Sequence, residues 1–122
     1  MQGSESSENY LEAILILSKR LPVVRSIDIA VELNFSKPSV SVAMKNLREN
    51  GCIEVSPAGF ITLTEKGLQI ASSIYERHTV ISDWLISLGV NPEVAVADAC
   101  GMEHQISEES FQAMKAFIEK HK

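Results

Sequence analysis

Apolar residues recur at spacings of three and four along most of the chain, a pattern typical of amphipathic helices. Proline, glycine and asparagine interrupt the pattern and divide it into six stretches. The predicted helices cover about residues 8–19, 26–33, 36–50, 64–88 and 91–104, and a last helix begins at 107. Two short extended runs, 52–55 and 60–62, flank the turn-forming residues 56–59 and predict a β-hairpin between the third and fourth helices.

Serine hydroxyls are expected to cap four of these helices, because they accept hydrogen bonds from the first free backbone N–H groups. The candidate caps are Ser6 or Ser7, Ser26, Ser36 and Ser107. The positions expected to face inward in the second helix are Ile27, Ala30, Val31 and Leu33, and those in the last helix are Phe111, Met114, Phe117 and Ile118. The long fourth helix has an apolar stripe of Ala71, Ile74, His78, Ile81, Leu85 and Leu88. The chain is therefore expected to be mainly α-helical with one small hairpin.

The composition fits a packed protein of one or two small domains. Of 122 residues, 45% are hydrophobic and 22% are charged, which excludes disorder as the main state. The longest apolar runs fall far short of the roughly 20 residues that a membrane span needs. Two cysteines, Cys52 and Cys100, are too few for a disulfide framework, and the polar residues 1–8 do not resemble a signal peptide. We therefore expect a cytoplasmic location.

The charge is distributed unevenly along the chain. The net charge of −5 argues by itself against a nucleic-acid partner. However, residues 19–48 carry six basic and two acidic residues, a net +4, whereas residues 67–122 carry a net −4. A basic first half joined to an acidic second half indicates a localised face for a polyanion, although an ordinary solvated surface would show the same charges.

The order of the first elements is that of a winged helix-turn-helix domain, in which the third helix lies in the major groove of DNA. The basic candidates for phosphate contacts are Arg25, Lys37 and Lys45. The other candidates for DNA contacts belong to the cap and first turns of the third helix, and they are Ser36, Pro38, Ser39, Ser41 and Val42. Three helices with a hairpin also form protein-binding modules, so that alternative stays open.

Several residue types that bind metals occur at helical spacing. Cys100, Glu103 and His104 stand at i, i+3 and i+4, and Asn9 and Glu12 at i and i+3, so each set is expected to share one helix face. Together with His78, they offer thiolate, carboxylate, imidazole and amide donors, which suit a divalent transition metal. Each residue alone has a plainer interpretation: a buried histidine, a small apolar cysteine, or polar residues at a helix end.

The sequence resembles the diphtheria toxin repressor family of metal-dependent repressors, which includes the manganese transport repressors. The resemblance covers nearly the whole chain, and the segments that carry it are 7–12 (SENYLE), 28–30 (DIA) through 38–41 (PSVS), 63–67 (LTEKG), 77–78 (RH), and 100–104 (CGMEH) ahead of 106–107 (IS). It implies a homodimer whose DNA-binding heads are positioned by a metal bound between the head and the dimerisation helices. The implied ligands are Asn9, Glu12, His78, Cys100, Glu103 and His104.

The chain departs from the family pattern at several of these positions. Position 9 is Asn where manganese sensors have Asp and iron sensors have Met, whereas Cys100 matches the iron sensors and replaces the Glu of manganese sensors. The ancillary ligands of the iron sensors are missing, since the matching positions are Ser82 and Val96. We also expect no C-terminal SH3-like domain after Lys122.

These observations predict a winged helix-turn-helix DNA-binding domain over residues 1–66 and a helical metal-binding and dimerisation domain over residues 67–122. The expected protein is not an enzyme but a homodimeric repressor of metal-uptake genes, which binds a double-stranded DNA operator when Fe(II) or Mn(II) is bound, with no membrane partner. Two alternatives remain: a winged-helix regulator that has lost metal dependence, and a metal-dependent hydrolase with Glu103 as its base.

Overall fold

The computed structural model describes residues 5–121 as six helices and one two-stranded antiparallel hairpin. The helices are α1 (Glu5–Arg20), α2 (Ser26–Leu33), α3 (Lys37–Glu49), α4 (Glu65–Ser87), α5 (Pro92–Met102) and α6 (Glu108–Lys120). Strands β1 (Ile53–Val55) and β2 (Ile61–Leu63) lie between α3 and α4 in the chain. The predicted fold class, mainly α with a small hairpin, is confirmed.

Helix α1 begins earlier than the serine pattern predicts. Ser6 and Ser7 lie inside its first turn rather than at a cap, because the helix already includes Glu5. The acidic side chains of Glu5 and Glu8 favour this start, since negative charge is stabilised at the positive end of a helix. The C-terminal end agrees with the prediction, because α1 ends at Arg20, two residues before Pro22.

Helix α2 has a different cap from the one predicted, and its predicted inward face is only partly confirmed, since Ala30 is buried and Leu33 packs against the core. The Asp28 carboxylate accepts a hydrogen bond of 2.8 Å from the Arg25 backbone N–H, and Ser26 is the first helical residue rather than the cap. Ile29 is fully buried, whereas Val31 is 75% exposed and Ile27 is also exposed. An eight-residue helix can bury only one narrow face, and packing against its neighbours selects the face that contains Ile29.

Helix α3 starts and ends as predicted. The Ser36 hydroxyl accepts a hydrogen bond from the Ser39 backbone N–H (3.3 Å), and Pro38 lies in the first turn, where its missing N–H costs nothing. The helix ends at Glu49, and Gly51 follows with a positive φ of 77°. Only one face is buried, and its members are Val40, Met44 and Leu47.

The hairpin pairs Ile53 with Leu63 and Val55 with Ile61. The first strand begins one residue later than predicted and ends where predicted, and the second strand lies one residue later. This second strand is also hydrogen-bonded to the loop before α2, because the Ile61 N–H donates to the Val24 carbonyl at 2.8 Å. Helix α4 then starts very close to the hairpin. A Cβ atom at Gly67 would collide with the Cys52 carbonyl oxygen, so this close packing requires glycine.

The structure divides into two compact units, one ending at Ser72 and the other beginning at Ser73, within α4. The first unit contains α1–α3, the hairpin and the start of α4. Its core consists of Tyr10, Leu11, Ile14, Leu17, Val24, Ile29, Ala30, Val40, Met44, Leu47, Cys52, Ile53, Ile61 and Ala71. None of the helices in residues 5–121 is long and apolar enough to cross a lipid bilayer.

The second unit contains the rest of α4 with α5 and α6. Its buried apolar residues are Ile74, Ile81, Ala95, Ala99 and Phe111. Two positions that the periodicity placed inside are exposed in the single chain: Phe117 is 55% exposed, and Leu88 is 63% exposed. The apolar pattern of α4 and α6 is wider than the surface that these helices cover for each other.

Candidate metal centre and nucleic-acid interface

A buried carboxylate between two histidines forms the centre of the second unit. Glu103 has no exposed surface. Its Oε2 atom lies 3.0 Å from Nδ1 of His78, and its Oε1 atom lies 3.3 Å from Nε2 of His104. The His104 side chain is also buried, and the His78 side chain is partly exposed. Glu103 therefore contacts two other predicted metal ligands, His78 and His104.

The end of α5 explains how two consecutive residues contribute to this cluster. The helix ends at Met102, whereas the sequence predicted helix to about His104. Glu103 is the C-cap residue, and its N–H donates to the Ala99 carbonyl at 2.9 Å. His104 lies in the turn beyond the helix, where its side chain can point towards Glu103 although the two residues are adjacent in sequence.

The predicted placement of Glu103 and His104 inside the helix that contains Cys100 is therefore wrong, whereas the shared ligand role of the three residues stays a prediction. Cys100 is on α5 and exposed, whereas the other two residues are buried in the turn that follows. Asn9 and Glu12 lie on α1 in the first unit, one helical turn apart, and both are partly buried.

The donor set of the cluster fits a divalent transition metal. Imidazole nitrogens and carboxylate oxygens bind Fe(II), Mn(II), Co(II) and Zn(II), and a nearby thiolate would favour the softer ions of this group. A buried carboxylate requires compensating partners, because moving its charge out of water is costly. His78 Nδ1 lies within hydrogen-bonding distance of Oε2, at 3.0 Å, whereas His104 Nε2 approaches Oε1 only to 3.3 Å, so Oε1 is the oxygen that a bound cation would compensate most.

Arg77, for which the sequence pattern predicts no role, holds the turn that carries Glu103 and His104. Arg77 Nη1 donates to the carbonyl oxygens of Glu103 (3.1 Å) and Ile106 (2.7 Å), and Nη2 donates to the Glu108 carboxylate (3.0 Å). The hydrogen bond from Arg77 holds the pKa of Glu108 below its ordinary value of 4.5. The guanidinium also lies over the Phe111 ring, 5.3 Å from its centroid. The only sequence signal that could have drawn attention to Arg77 is its position next to the candidate ligand His78.

The candidate DNA face of the first unit is the exposed side of α3. Lys37, Pro38, Ser39, Ser41, Val42 and Lys45 are all exposed, as is the cap Ser36. The buried residues Val40, Met44 and Leu47 occupy the opposite side and attach the helix to the core. The Ser36 hydroxyl is engaged in the cap and donates to the Ser39 hydroxyl at 2.9 Å.

Arg25 lies at the start of α2 and contacts the hairpin. Its guanidinium carbon is 4.8 Å from the centroid of the Phe60 ring, which lies next to the turn of the hairpin, the wing of this fold. The turn of the wing is formed by Ser56, Pro57, Ala58 and Gly59, of which none is basic. Arg25, a residue outside the hairpin, therefore brings positive charge to this end of the wing. The contribution of Phe60 was not predicted from the sequence.

Comparison with known proteins identifies two family domains in the chain. Residues 3–59 match the N-terminal DNA binding domain of the iron dependent repressors, and residues 64–122 match the metal binding and dimerisation domain of that family.

Curated relatives and solved structures agree with this result. The transcriptional regulator MntR of Escherichia coli is 38% identical over 117 residues, which are 96% of this chain and 76% of the relative. An uncharacterized HTH-type transcriptional regulator of Methanocaldococcus jannaschii is 35% identical over 98% of this chain and 97% of its own length. The structure of the manganese regulator SloR matches 93% of this chain with 28% identity and a TM-score of 0.82. The metal-dependent transcriptional regulator MtsR gives a TM-score of 0.86 at 25% identity. The chain spans about half the length of these two structures, 53% in each case.

Proposed function

The chain belongs to the iron dependent repressor family of metal-dependent transcriptional regulators, and we propose that it represses genes for metal uptake when Fe(II) or Mn(II) is bound. Its similarity is to regulators rather than to enzymes, which disfavours the hydrolase alternative. The observation that carries the metal dependence is the Glu103 carboxylate, fully buried between His78 and His104.

DNA binding is assigned to residues 1–66, with α3 as the recognition helix. The exposed residues at the start of α3 suit the base edges of a major groove, and Lys37, Lys45 and Arg25 suit the phosphates on either side. Val42 is 62% exposed although it is apolar, which fits contact with a thymine methyl group. The partner is a double-stranded operator, and a protein that acts on such a partner works in the cytoplasm.

Metal binding is assigned to Glu103, His78 and His104, with Cys100, Asn9 and Glu12 as further ligands. When bound, the metal supplies divalent positive charge beside a buried carboxylate. The protein's own contribution is to hold deprotonated or neutral donors in place and to exclude water from Glu103. Metal and operator favour the same conformation of the chain, so each strengthens the binding of the other.

The homodimer is assigned to the exposed apolar groove between α4 and α6 in the domain of residues 67–122. Trp84, Leu88, Phe117 and Ile118 line this groove together with the charged Lys115. Exposed apolar surface of this kind is typical of a face that another subunit covers. We expect Phe117→Asp to shift the protein from dimer to monomer in sedimentation at micromolar concentration. If the variant dimerises with the same affinity as wild-type protein, the interface does not lie in this groove.

The central experiment measures binding to a labelled promoter fragment by fluorescence anisotropy with Mn(II), Fe(II), Co(II), Zn(II) or chelator. Wild-type protein is expected to bind DNA tightly only with metal. Glu103→Gln is expected to lose this activation, whereas the matched change Glu109→Gln, at an exposed position of α6, retains it. Equal DNA affinity with metal and with chelator would refute metal dependence and leave the DNA-binding assignment standing.

A further inference from the structure

Two consecutive residues of α4 hold the same residue of the candidate metal centre by different atoms. His78 contacts the side chain of Glu103, with 3.0 Å between Nδ1 and Oε2. Arg77 contacts the main chain of Glu103, with 3.1 Å between Nη1 and the carbonyl oxygen. The position and the direction of the Glu103 carboxylate are therefore both determined from α4.

Arg77 also fixes the rest of the turn that carries this carboxylate. The same Nη1 atom donates to the Ile106 carbonyl at 2.7 Å, so one guanidinium group connects the two ends of the turn over residues 103–106. Glu108 and the Phe111 ring, both on α6, hold the guanidinium itself. With its side chain only 12% exposed, Arg77 is well shielded from competing water.

We propose that Arg77 is a positioning residue for the metal centre, which holds Glu103 and His104 in the geometry required for binding. This inference rests on the proposed metal-dependent function. The turn has its own backbone hydrogen bonds, from the Glu103 N–H to the Ala99 carbonyl and from the Gln105 N–H to the Met102 carbonyl, but neither of them involves the Glu103 or Ile106 carbonyl that Arg77 holds. Without Arg77 the turn would sample more conformations, and each conformation that misdirects the Glu103 carboxylate lowers the affinity for metal. Residues that orient metal ligands from outside the coordination sphere typically change metal affinity by about 10–100-fold when they are replaced.

The neighbouring residue Glu76 provides a matched control. It also connects α4 to α6, through an ion pair of 2.6 Å with Lys115, which lies on α6 and outside the turn over residues 103–106. Glu76→Gln therefore removes an interhelical contact at the adjacent position without affecting Glu103. Glu108→Gln is an intermediate case, because it weakens the support of Arg77 and leaves both carbonyl contacts available.

The experiment is a Co(II) titration of the full-length protein, monitored by visible absorption. We expect Arg77→Lys and Arg77→Met to weaken Co(II) binding by about 10–100-fold, Glu108→Gln to weaken it less, and Glu76→Gln to leave it unchanged. Hydrogen exchange in chelator gives a readout without metal. The amides of Glu103 and Gln105 are expected to exchange faster in the Arg77 variants, while those in the middle of α5 keep the wild-type rate.

Each outcome separates this proposal from the function on which it rests. If wild-type protein does not bind Co(II), the metal-dependent function is wrong and the positioning role falls with it. If wild-type protein binds Co(II) and both Arg77 variants bind it equally well, only the positioning role is wrong. A lower unfolding temperature with unchanged Co(II) affinity would show that Arg77 merely stabilises the fold. If Arg77→Met does not fold, Arg77→Lys and Glu108→Gln decide in the same way.

Discussion

Replacement of the two lysines of α3 tests directly whether this helix lies in the major groove. Lys37 and Lys45 are exposed and eight residues apart, which places them about 12 Å apart along the helix axis. Two lysines at this distance reach different phosphates, so their contributions are expected to be independent. We predict that Lys37→Ala and Lys45→Ala each weaken binding about equally on operator and on unrelated DNA, because phosphate contacts carry no sequence information.

The size of the effect follows from the release of counterions. Each phosphate contact contributes about 0.9 to the slope of log affinity against log salt concentration. A homodimer presents each lysine twice, so each single variant is expected to lose about 1.8 of this slope. Between 50 and 200 mM salt, wild-type protein should therefore lose about 12-fold more affinity than either variant does.

The assay is fluorescence anisotropy with saturating metal at four or more salt concentrations. Lys120→Ala is the control, because Lys120 is an exposed lysine at the end of α6, outside α3. Its salt slope is expected to equal that of wild type. Unchanged slopes in both α3 variants would refute the groove assignment, and a loss restricted to operator DNA would show that the lysines read bases.

Three further predictions concern stability, metal chemistry and pH. Gly67→Ala should lower the free energy of unfolding by about 1–3 kcal/mol, because its Cβ would collide with a buried carbonyl. Gly101→Ala has open space around its Cβ and should raise the free energy of unfolding by about 0.4–1 kcal/mol. Equal effects of the two changes in chemical denaturation would contradict the packing argument. Co(II) should give thiolate charge-transfer absorption that Cys100→Ser removes, and activation of DNA binding by Co(II) without this band would exclude Cys100 as a ligand. The pKa of Glu108 lies below its ordinary value of 4.5 because of Arg77, so its contribution to stability is present above that pH and is lost as the pH falls through the lowered pKa. In Arg77→Met, an NMR titration should show this pKa returning towards 4.5, and an unchanged value would contradict the assigned cause.

The parts of the fold that the sequence predicted well depend on local chemistry. The Ser36 and Ser107 hydroxyls accept hydrogen bonds from backbone N–H groups three residues later, which requires no knowledge of the tertiary structure. The helix starts that were predicted wrongly, those of α1 and α2, depend on acidic side chains rather than on the expected serines. At the start of α2, the Asp28 carboxylate accepts a hydrogen bond from the Arg25 backbone N–H, so the cap is Arg25, one residue before the expected Ser26.

The candidate metal centre shows a different limit of sequence reasoning. Side-chain chemistry identified His78, Glu103 and His104 as possible ligands, because these residue types bind metals at recognisable spacings. The role of Arg77 could not be predicted in this way, because the partners that hold the turn are backbone carbonyls 26 and 29 residues away. Every residue has a backbone carbonyl, and only the folded structure decides which carbonyls lie within reach of Arg77. No pattern of side chains therefore records such a contact. Residues that position a site through the main chain become visible only in the folded structure.

Periodicity also cannot distinguish burial within one chain from burial between two chains. Phe117 and Leu88 follow the apolar spacing of their helices, which predicts that both are covered. The single chain leaves them 55% and 63% exposed, beside a groove that also includes Trp84. The prediction of burial and the observed exposure are compatible if another copy of the chain covers this face, as the match to a dimerisation domain indicates. The spacing of these residues on α4 and α6 therefore specifies an apolar face, and the assembly determines which surface covers it.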